Sequence, residues 1–189
     1  MALTTKGLEL APYIHDRPAL FVAFGLPGAG KTYAARVFED FGFTMHDGDD
    51  DLPDVMRNAI AASQPISDAM RDVFFGQIIA SAERLWPAHP NVVIAQTFIK
   101  EKYRQRFLEH FPTAQFVLVE ADIGVRERRL AHRTHQALDP DYVRKMERIF
   151  EPPRIPHQVI SNNEDGDAHL KRQIANILAS PSPGSLPTS

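Results

Sequence analysis

Apolar residues in this chain gather in short runs that are separated by longer segments of helical periodicity. Near-continuous apolar runs predict buried strands of a parallel sheet that is covered on both faces. The predicted strands are 19–25, 41–46, 91–98, 114–121 and 157–161. The predicted helices are 30–41, two within 53–86, and 101–110, 122–135, 139–149 and 167–179, the last with Asp167 as its N-cap. This alternation predicts an α/β domain with a five-stranded parallel sheet in a three-layer α/β/α arrangement.

The composition fits one domain with loosely attached ends. The chain has 189 residues, 43% of them hydrophobic, which is enough for a single packed core. We expect this domain to span 18–179, with a substrate-binding helical region at about 50–86 and a lid at about 126–150. Residues 1–17 are expected to be a loosely ordered extension and the Pro/Ser-rich residues 180–189 a disordered tail.

Net charge and cysteine content limit the kinds of molecule that this chain is expected to bind. A formal net charge of −3 argues against wrapping nucleic acid or lying on anionic lipid, since both need a basic surface. No segment approaches the roughly 18 apolar residues of a membrane span, and the first residues do not form a secretory signal. The absence of cysteine excludes disulfides and thiolate sites. We therefore expect a cytoplasmic protein that acts on a small molecule, and the sequence leaves a homodimer open.

The segment GLPGAGKT, Gly25 to Thr32, follows the first predicted strand and precedes a predicted helix. It fits the G-x-x-x-x-G-K-[ST] pattern of a phosphate-binding P-loop in the context that this pattern requires. The glycines let backbone N–H groups converge on phosphate oxygens at the positive end of a helix dipole. Lys31 is expected to bridge the β- and γ-phosphates of ATP, and the Thr32 hydroxyl to bind Mg²⁺. The predicted nucleotide-binding residues here are Gly25, Pro27, Gly28, Ala29, Gly30, Lys31, Thr32 and Tyr33.

Four aspartates follow the second predicted strand: Asp47, Asp49, Asp50 and Asp51. The third strand runs into Gln96 rather than an acidic residue, so the acidic group for Mg²⁺ must come from elsewhere. We expect Asp47 to orient a Mg²⁺-bound water. Asp49, two residues on and on the same side of an extended chain, would hold or deprotonate the hydroxyl of an acceptor. Asp50 and Asp51 are expected to be acidic residues at a helix start.

A P-loop occurs in kinases, GTPases, motors and switches, so other features must distinguish these classes. A GTPase would carry an Asn-Lys-x-Asp segment for base recognition, and the sequence contains none. A chain this short has room for a core, one lid and one substrate-binding insertion, which is typical of small phosphotransferases. These features favour a kinase.

From roughly Phe21 to Pro152 the order of residues resembles the gluconate kinases, small P-loop NTPases that neighbour shikimate kinase. Those kinases have a Gly-Asp-x-x-His-Pro stretch where this chain has GDDDLP. The segments SQPISDAMR, TFIKEKYR, RRLAHRTH and MERIFEPP also match the family pattern. They retain Pro65, Asp68, Arg71, Lys100, Tyr103, Arg104, Arg129, Leu130 and Arg133. The resemblance implies a P-loop NTPase fold with a helical lid and an ATP-dependent, Mg²⁺-requiring kinase that acts on a gluconate-like sugar acid or related carbohydrate.

Three departures from the family pattern weaken the assignment of gluconate. Leu52 stands in place of a histidine beside the sugar acid, Ser63 replaces a glycine, and Thr97-Phe98 replaces Ser-Ala. Loss of an imidazole and addition of a phenyl ring would leave a gluconate hydroxyl unpaired and reduce its room. Kinase chemistry therefore carries over better than gluconate specificity does.

Cationic side chains supply the remaining candidates. Arg71, Lys100 and Arg104 could bind a carboxylate or phosphate on the acceptor, and Arg57 is a weaker candidate. Arg126, Arg129 and Arg133 share one helical face, and Arg129 and Arg133 are preferred for closing on the phosphates. Arg133 could also stack on adenine. The predicted catalytic residues are Lys31, Asp49 and Arg129.

Two further pairs have alternative interpretations. His132 and His135 lie three residues apart but lack further ligands, so they are expected to be part of a polar lid surface. Asn162 and Asn163 follow the last strand, where such folds place the adenine, and a simple turn explains them equally well.

Two alternatives to a gluconate-like kinase stay open. One is another small P-loop kinase of the shikimate, nucleoside or polynucleotide type. The other is a non-catalytic ATP-binding regulatory protein, which would lack an acceptor pocket. Asp49, Arg71 and Lys100 facing the γ-phosphate would argue against the regulatory protein.

Overall fold

The computed structural model describes residues 18–132 and 139–180, and its centre is one parallel sheet with the strand order β2-β3-β1-β4-β5. The strands are β1 Ala19–Phe24, β2 Thr44–Asp47, β3 Asn91–Ala95, β4 Gln115–Glu120 and β5 His157–Ser161. The helices are α1 Lys31–Glu39, α2 Asp54–Ala61, α3 Asp68–Leu85, α4 Glu101–His110, α5 Ile123–Ala131, α6 Pro140–Ile149 and α7 Ala168–Ala179. This confirms the predicted α/β P-loop NTPase fold.

The alternation of side chains along β1 explains the layers. Successive residues of a strand point to opposite faces of the sheet, and all six residues of β1 are buried. Phe21 packs in the core that α1 and α7 complete, whereas Val22 packs in the core that α2, α3 and α4 complete. A strand that is apolar on both faces can only lie between two helical layers, as the near-continuous apolar run predicts.

The start of α7 confirms the predicted N-cap position but not a capping bond from its side chain. Asp167 occupies the N-cap position, but its side chain makes no capping hydrogen bond because its backbone is helical, with φ −101° and ψ −11°. Its carboxylate instead pairs with Nζ of Lys171 at 2.8 Å. The exposed pair is a surface ion pair of the kind that contributes little to stability.

Some predicted segments lie outside the residues that the structure describes. These segments are the N-terminal extension and residues 181–189 of the predicted tail. In the described residues no helix is long and apolar enough to cross a bilayer.

The topology of the sheet places the candidate site residues at its carboxyl edge. β1 lies between β3 and β4, so the loops after β1 and its neighbours open on the same side of the sheet. Ligands of open α/β folds bind at such a carboxyl edge. The P-loop after β1 and the aspartates after β2 therefore lie close together.

Candidate functional site

The P-loop turns at glycines, where neighbouring residues leave no room for a side chain. Gly28 and Gly30 have φ angles of +79° and +86°, a region that other residues rarely adopt. A Cβ on Gly28 would lie 2.8 Å from the carbonyl oxygen of Arg126. A Cβ on Gly30 would lie 2.2 Å from Nδ2 of Asn162. Both positions therefore require glycine, which keeps the loop against α5 and the segment after β5.

Lys31 and Thr32 begin α1 and face the main cavity. Nζ of Lys31 donates to the carbonyl oxygen of Leu26 at 3.1 Å, across the loop. Oγ1 of Thr32 donates to Oδ2 of Asp47 at 3.1 Å. Lys31, Thr32 and Asp47 line the same cavity, so the structure brings together the side chains predicted to bind phosphate and Mg²⁺.

The oxygens of Thr32 and Asp47 fit a Mg²⁺ ion that arrives with a nucleotide. Mg²⁺ takes oxygen ligands and usually combines one or two protein groups with phosphate oxygens and waters. A hydroxyl and a carboxylate oxygen 3.1 Å apart meet that requirement. Among the residues with described positions, no group of three or more histidine and acidic side chains could hold a metal. An ion here would take its other ligands from phosphate and water.

Asp49 is oriented by a buried amide. Nε2 of Gln96 donates to Oδ1 of Asp49 at 3.0 Å, and Oε1 of Gln96 accepts from the N–H of Thr97 at 2.6 Å. The N–H of Asp49 donates to Oδ1 of Asp47 at 3.1 Å. Sequence reasoning missed this role of Gln96, although its position directly after β3, beside the end of β2, is a usable signal.

Asp50 and Asp51 are acidic residues at a helix start, as predicted, but the helix is a short one before Pro53 and not α2. Both lie in a 3₁₀-helix, Gly48–Asp51, that precedes α2. The N-cap of α2 is Pro53, and the acidic residue in its first turn is Asp54. The fixed φ of Pro53 separates the two short helices.

Asp51 instead closes a loop on β2. Its Oδ2 bonds to Nε2 of His46 at 2.7 Å, and its Oδ1 accepts from Oγ of Ser81 at 2.6 Å. The hydrogen bond that His46 donates to Asp51 raises the pKa of His46, and burial opposes this. Asp51 thus ties the aspartate-bearing segment to both β2 and α3.

Asn162 braces the P-loop and does not face the cavity. It is buried, and its Nδ2 donates to the carbonyl oxygen of Ala29 at 2.8 Å. The predicted contact with adenine is therefore corrected, because the loop occupies this amide. NH1 of Arg129 donates to the carbonyl oxygen of Asn162 at 2.9 Å, and Arg129 does line the cavity. Asn163 accepts from the N–H of Asp122 at 2.7 Å, which is a turn contact.

The lid arginines do not converge on one anion as their spacing predicts. Arg126 is buried and pairs through NH1 with Oε1 of Glu147 at 2.5 Å, which joins α5 to α6. Arg129 alone of the two described arginines reaches the cavity. Arg133 lies outside the described residues, so its contacts with phosphate and adenine stay predictions.

The other lid prediction concerns the two histidines. Nδ1 of His132 bonds to the carbonyl oxygen of Arg128 at 2.7 Å on an exposed surface, in keeping with a polar lid. His135 lies outside the described residues.

Arg71 is the predicted acceptor ligand that faces the cavity. It lies on α3, is only 6% exposed, and lines the cavity. Within 18–132 and 139–180 its guanidinium makes no direct hydrogen bond or ion pair, although its charge acts on Asp68 and on Tyr142. Lys100 lies elsewhere: its Nζ pairs with Oδ1 of Asp68 at 2.6 Å, and it does not line the cavity. That pair lowers the pKa of Asp68.

The prediction that Arg104 binds the acceptor is wrong. Its side chain is fully buried on α4. It donates to the carbonyl oxygens of Phe98, Ile99 and Glu151 and to the carboxylate of Glu101, at distances of 2.7 to 3.1 Å. The guanidinium thus joins α4 to the segments before it and after α6, away from the cavity.

The cavity has a volume of about 680 Å³ and lies between the P-loop and helices α2, α3 and α6. Sequence reasoning missed its residues from α2 and α6, among them Met56, Tyr142 and Met146. Burial raises the pKa of Tyr142, the charge of Arg71 opposes this, and that of Asp49 adds to it. The available signal was the spacing of Tyr142 and Met146, which lie on one face of a helix.

Departures from the gluconate kinase pattern have local explanations. Leu52 lines the cavity and packs on the core. Ser63 has a φ of +53°, a conformation that glycine adopts more readily, and its Oγ donates to Oδ2 of Asp139 at 3.0 Å. Phe98 is fully buried, with its ring 4.9 Å from that of Phe75, so the core absorbs its bulk.

Comparison with known proteins agrees with this architecture. A family model described as AAA domain matches residues 20–153, more than two thirds of the chain. No curated protein sequence matches the chain.

Solved structures of kinases share the fold. A sugar kinase from Janibacter sp. HTCC2649 has a TM-score of 0.72 at 16% identity, covering 86% of this chain and 99% of its own. A gluconokinase from Sinorhizobium meliloti 1021 has a TM-score of 0.70 at 22% identity, covering 87% and 94%. Kti12 from Chaetomium thermophilum, solved with ADP-AlF3, has a TM-score of 0.61 at 19% identity, covering 85% and 100%. At these identities the similarity shows the fold alone.

Proposed function

Because the chain belongs to the AAA domain family and has the fold of P-loop kinases, we propose that it is an ATP-dependent kinase that phosphorylates a hydroxyl of a small polar metabolite. The observation that carries the proposal is that Lys31, Asp49 and Arg71 line one cavity. They suit a phosphate, an acceptor hydroxyl and an anionic group on the acceptor, respectively. A nucleotide-binding regulator would need only the first of these.

The phosphate end of the site works by position and charge. The backbone N–H groups of the P-loop and Nζ of Lys31 would hold the β- and γ-phosphates, and Arg129 would add positive charge from the lid. Thr32 and Asp47 would hold Mg²⁺, which when bound neutralises charge on the phosphates. Asn162 supports this end by holding the carbonyl of Ala29 in place.

Transfer then needs an oriented acceptor. The acceptor oxygen forms a bond to the γ-phosphorus while the bond from that phosphorus to the β,γ-bridging oxygen breaks, and ADP leaves with the electron pair. The hydroxyl proton passes to the carboxylate of Asp49, which the amide of Gln96 holds at 3.0 Å. Asp49 thereby aligns the attacking oxygen with the breaking bond.

The acceptor is proposed to carry an anionic group that pairs with Arg71. Sugar acids belong to this class, and gluconate is the reference compound because of the resemblance to gluconate kinases. The sugar kinase and the gluconokinase among the structural neighbours support testing it first. Lys100 and Arg104 have no part in this proposal, since both are engaged elsewhere.

The experiment measures transfer of label from [γ-³²P]ATP, with Mg²⁺, to sugar acids, other hydroxy acids, polyols, nucleosides and oligonucleotide ends. We expect product with an anionic acceptor. Asp49→Asn should lower kcat about 100-fold and leave the Kd for ATP unchanged. Asp50→Asn is the matched control, because Asp50 is exposed and does not line the cavity.

Two results would contradict this proposal. If the protein binds ATP but phosphorylates none of these compounds, it is a nucleotide-binding regulator. If Asp49→Asn weakens ATP binding as much as turnover, Asp49 belongs to the metal site and not to the acceptor site.

A further inference from the structure

The walls of the cavity differ in their chemistry. The P-loop, the start of α1, the end of β2 and the segments after β2 and β3 supply the polar side chains Lys31, Thr32, Asp47, Asp49, Gln96 and Thr97, whereas a group of apolar side chains comes mainly from α2, α3 and α6. We call the apolar part the helical wall, consisting of Leu52, Met56, Ile60, Phe74, Phe75 and Met146. Apolar surface of this extent inside a binding cavity is typical of a site whose ligand has an apolar body.

Most polar groups beside the helical wall are already engaged. Oγ of Ser63 donates to Asp139, whose carboxylate also accepts from the N–H of Asp141. NH2 of Arg57 donates to the carbonyl oxygen of Leu52 at 3.1 Å. A buried hydroxyl without a hydrogen-bond partner is costly, so a polyol needs a polar group for each hydroxyl. The helical wall does not supply them.

Arg71 is the exception beside this wall. Its side chain is more than nine-tenths buried, and in the described ranges its guanidinium has no hydrogen-bond partner. A buried cation is unfavourable unless an anion accompanies it. Asp49 does not fill this role by direct contact, because its hydrogen bonds run to Gln96 and to Asp47. The charge of Asp68, one turn earlier on α3, interacts with that of Arg71, but its exposed carboxylate pairs with Nζ of Lys100 and not with the guanidinium. An anion on the ligand would complete the site.

Tyr142 lies in the same electrostatic surroundings. The charges of Arg71 and Asp49 both act on its hydroxyl. It lines the cavity from α6, as Arg71 does from α3 and Ile60 does from α2. A phenol in this place can donate to a carboxylate or phosphate while its ring extends the apolar surface.

We infer that the acceptor of the proposed kinase is a hydroxylated monoanion with an apolar body: its anion binds Arg71, its body packs on the helical wall, and its hydroxyl lies at Asp49. This inference rests on the kinase activity and the anionic acceptor of the proposed function, and it replaces the sugar acid by a hydroxy acid with an apolar body. It sets the acceptor apart from sugar acids, polyols and nucleosides, which would leave hydroxyls unpaired against Ile60 and Phe74.

The test compares kcat/KM of the wild-type protein, with Mg²⁺ and ATP, for two hydroxy acids, 4-(hydroxymethyl)benzoate and 6-hydroxyhexanoate. The neutral amide of each acid and gluconate are the comparison compounds. We expect at least one acid to exceed gluconate about 100-fold and its own amide about tenfold. Gluconate performing as well as both acids, or amides performing as well as acids, would overturn the inference.

Variants separate the two parts of the site. Arg71→Met should abolish the preference for acid over amide, whereas Arg172→Met, at an exposed arginine of α7, should retain it. Ile60→Asn should lower kcat/KM for the acid about tenfold and leave the Kd for ATP unchanged. Val73→Asn, on the outer face of α3, is its control, because Val73 is 56% exposed. A preference that survives Arg71→Met would contradict the assigned anion site.

Failure of this inference is distinguishable from failure of the proposed function. Phosphorylation of gluconate or a polyol in preference to both acids keeps the kinase and overturns the apolar acceptor. Transfer to another compound of the panel without transfer to either acid also overturns it. ATP binding without transfer to any compound of the panel would overturn the proposed function as well. Absence of ATP binding in the wild-type protein would overturn the proposed function itself.

Discussion

The two sides of the cavity are built in opposite ways. On the phosphate side the polar groups are bonded to one another, as in the pairs Thr32 with Asp47 and Asn162 with Ala29. On the acceptor side a buried arginine, Arg71, has no partner in the described residues and stands beside an apolar wall. The proposed phosphate side is thus organised by its own hydrogen bonds, whereas on the proposed acceptor side an anionic ligand would supply the direct partner that Arg71 lacks.

This difference follows from where the residues lie in the chain. The phosphate side comes mainly from one contiguous loop, Gly25 to Thr32, and from the ends of adjacent strands. The acceptor side combines α2, α3 and α6, which are far apart in sequence. Substitutions on the phosphate side should therefore act on every acceptor alike, and those on the acceptor side should change which acceptor is used.

The largest effect is expected from Lys31→Ala on the phosphate side. Loss of a cation that holds the transferred phosphate should lower turnover about a thousandfold, with every acceptor that the wild type phosphorylates. The free energy of unfolding, measured in urea, should change by less than about 0.5 kcal/mol. Lys171→Ala on α7 is the control for loss of a lysine. Near-full turnover of Lys31→Ala would refute the P-loop assignment.

Arg104→Met should have the next largest effect, on stability and not on the acceptor. Removing a fully buried guanidinium leaves Glu101 and three carbonyl oxygens without their donor, which should cost about 3 kcal/mol of unfolding free energy. The KM for the acceptor should stay unchanged. Urea unfolding and steady-state kinetics measure the two quantities.

The control for this variant lies on the same helix. Arg106 is half-buried and donates to one carbonyl oxygen, that of Asp72, so Arg106→Met should cost about 1 kcal/mol or less. If the Arg104→Met protein is as stable as the wild type and has a raised KM for the acceptor, Arg104 binds the acceptor after all.

Arg71 and Arg104 show what the sequence could not distinguish. Both lie on helices and both fit the pattern of the resembling kinases, yet Arg71 lines the cavity and Arg104 is buried in hydrogen bonds away from it. Whether each guanidinium lines the cavity or is bonded in the core depends on carbonyl oxygens and carboxylates that other elements supply. By contrast, the P-loop was predictable because its conformation depends on its own glycines and on the flanking strand and helix.

The fold was more predictable than the acceptor side for a similar reason. Each strand has its own apolar run, and the apolar character of β1 on both faces requires two helical layers. The contact between Ser63 and Asp139 spans 76 residues, and Tyr142 of α6 lines a cavity that it shares with residues of α2 and α3. No local pattern encodes such contacts.

Asn162→Ala should have a moderate effect on stability. It tests whether Asn162 supports the P-loop or contacts the base of the nucleotide. It leaves the carbonyl oxygen of Ala29 without its donor, which should cost about 2 kcal/mol of unfolding free energy. Affinities for ATP and GTP, measured by calorimetry, should fall by the same factor, because the loop and not the base is affected. Asn163→Ala serves as the control at the neighbouring turn. A change in the ratio of the ATP and GTP affinities would instead mean that Asn162 contacts the base of the nucleotide.

The smallest effects are expected at the edge of the acceptor side, from Ser63→Gly and Ser63→Ala. Both variants lose the hydroxyl that donates to Asp139, but only glycine relaxes at a φ of +53°. Ser63→Gly should therefore be about 1 kcal/mol more stable than Ser63→Ala in urea unfolding. The pKa of Asp139 is lowered first by the backbone N–H of Asp141 and then by Ser63, so it should rise toward its usual value in both variants.

The pH dependence of these variants tests the bond between Ser63 and Asp139 separately from backbone strain. Because the folded pKa of Asp139 lies below its ordinary value of 3.8, the stabilisation is present above that pH and is lost as the pH falls through the folded pKa. The stability difference between wild type and Ser63→Ala should therefore shrink in acid, whereas the difference between Ser63→Gly and Ser63→Ala should not. If both differences respond equally to pH, the strain at Ser63 depends on the charge of Asp139 and not on the backbone alone.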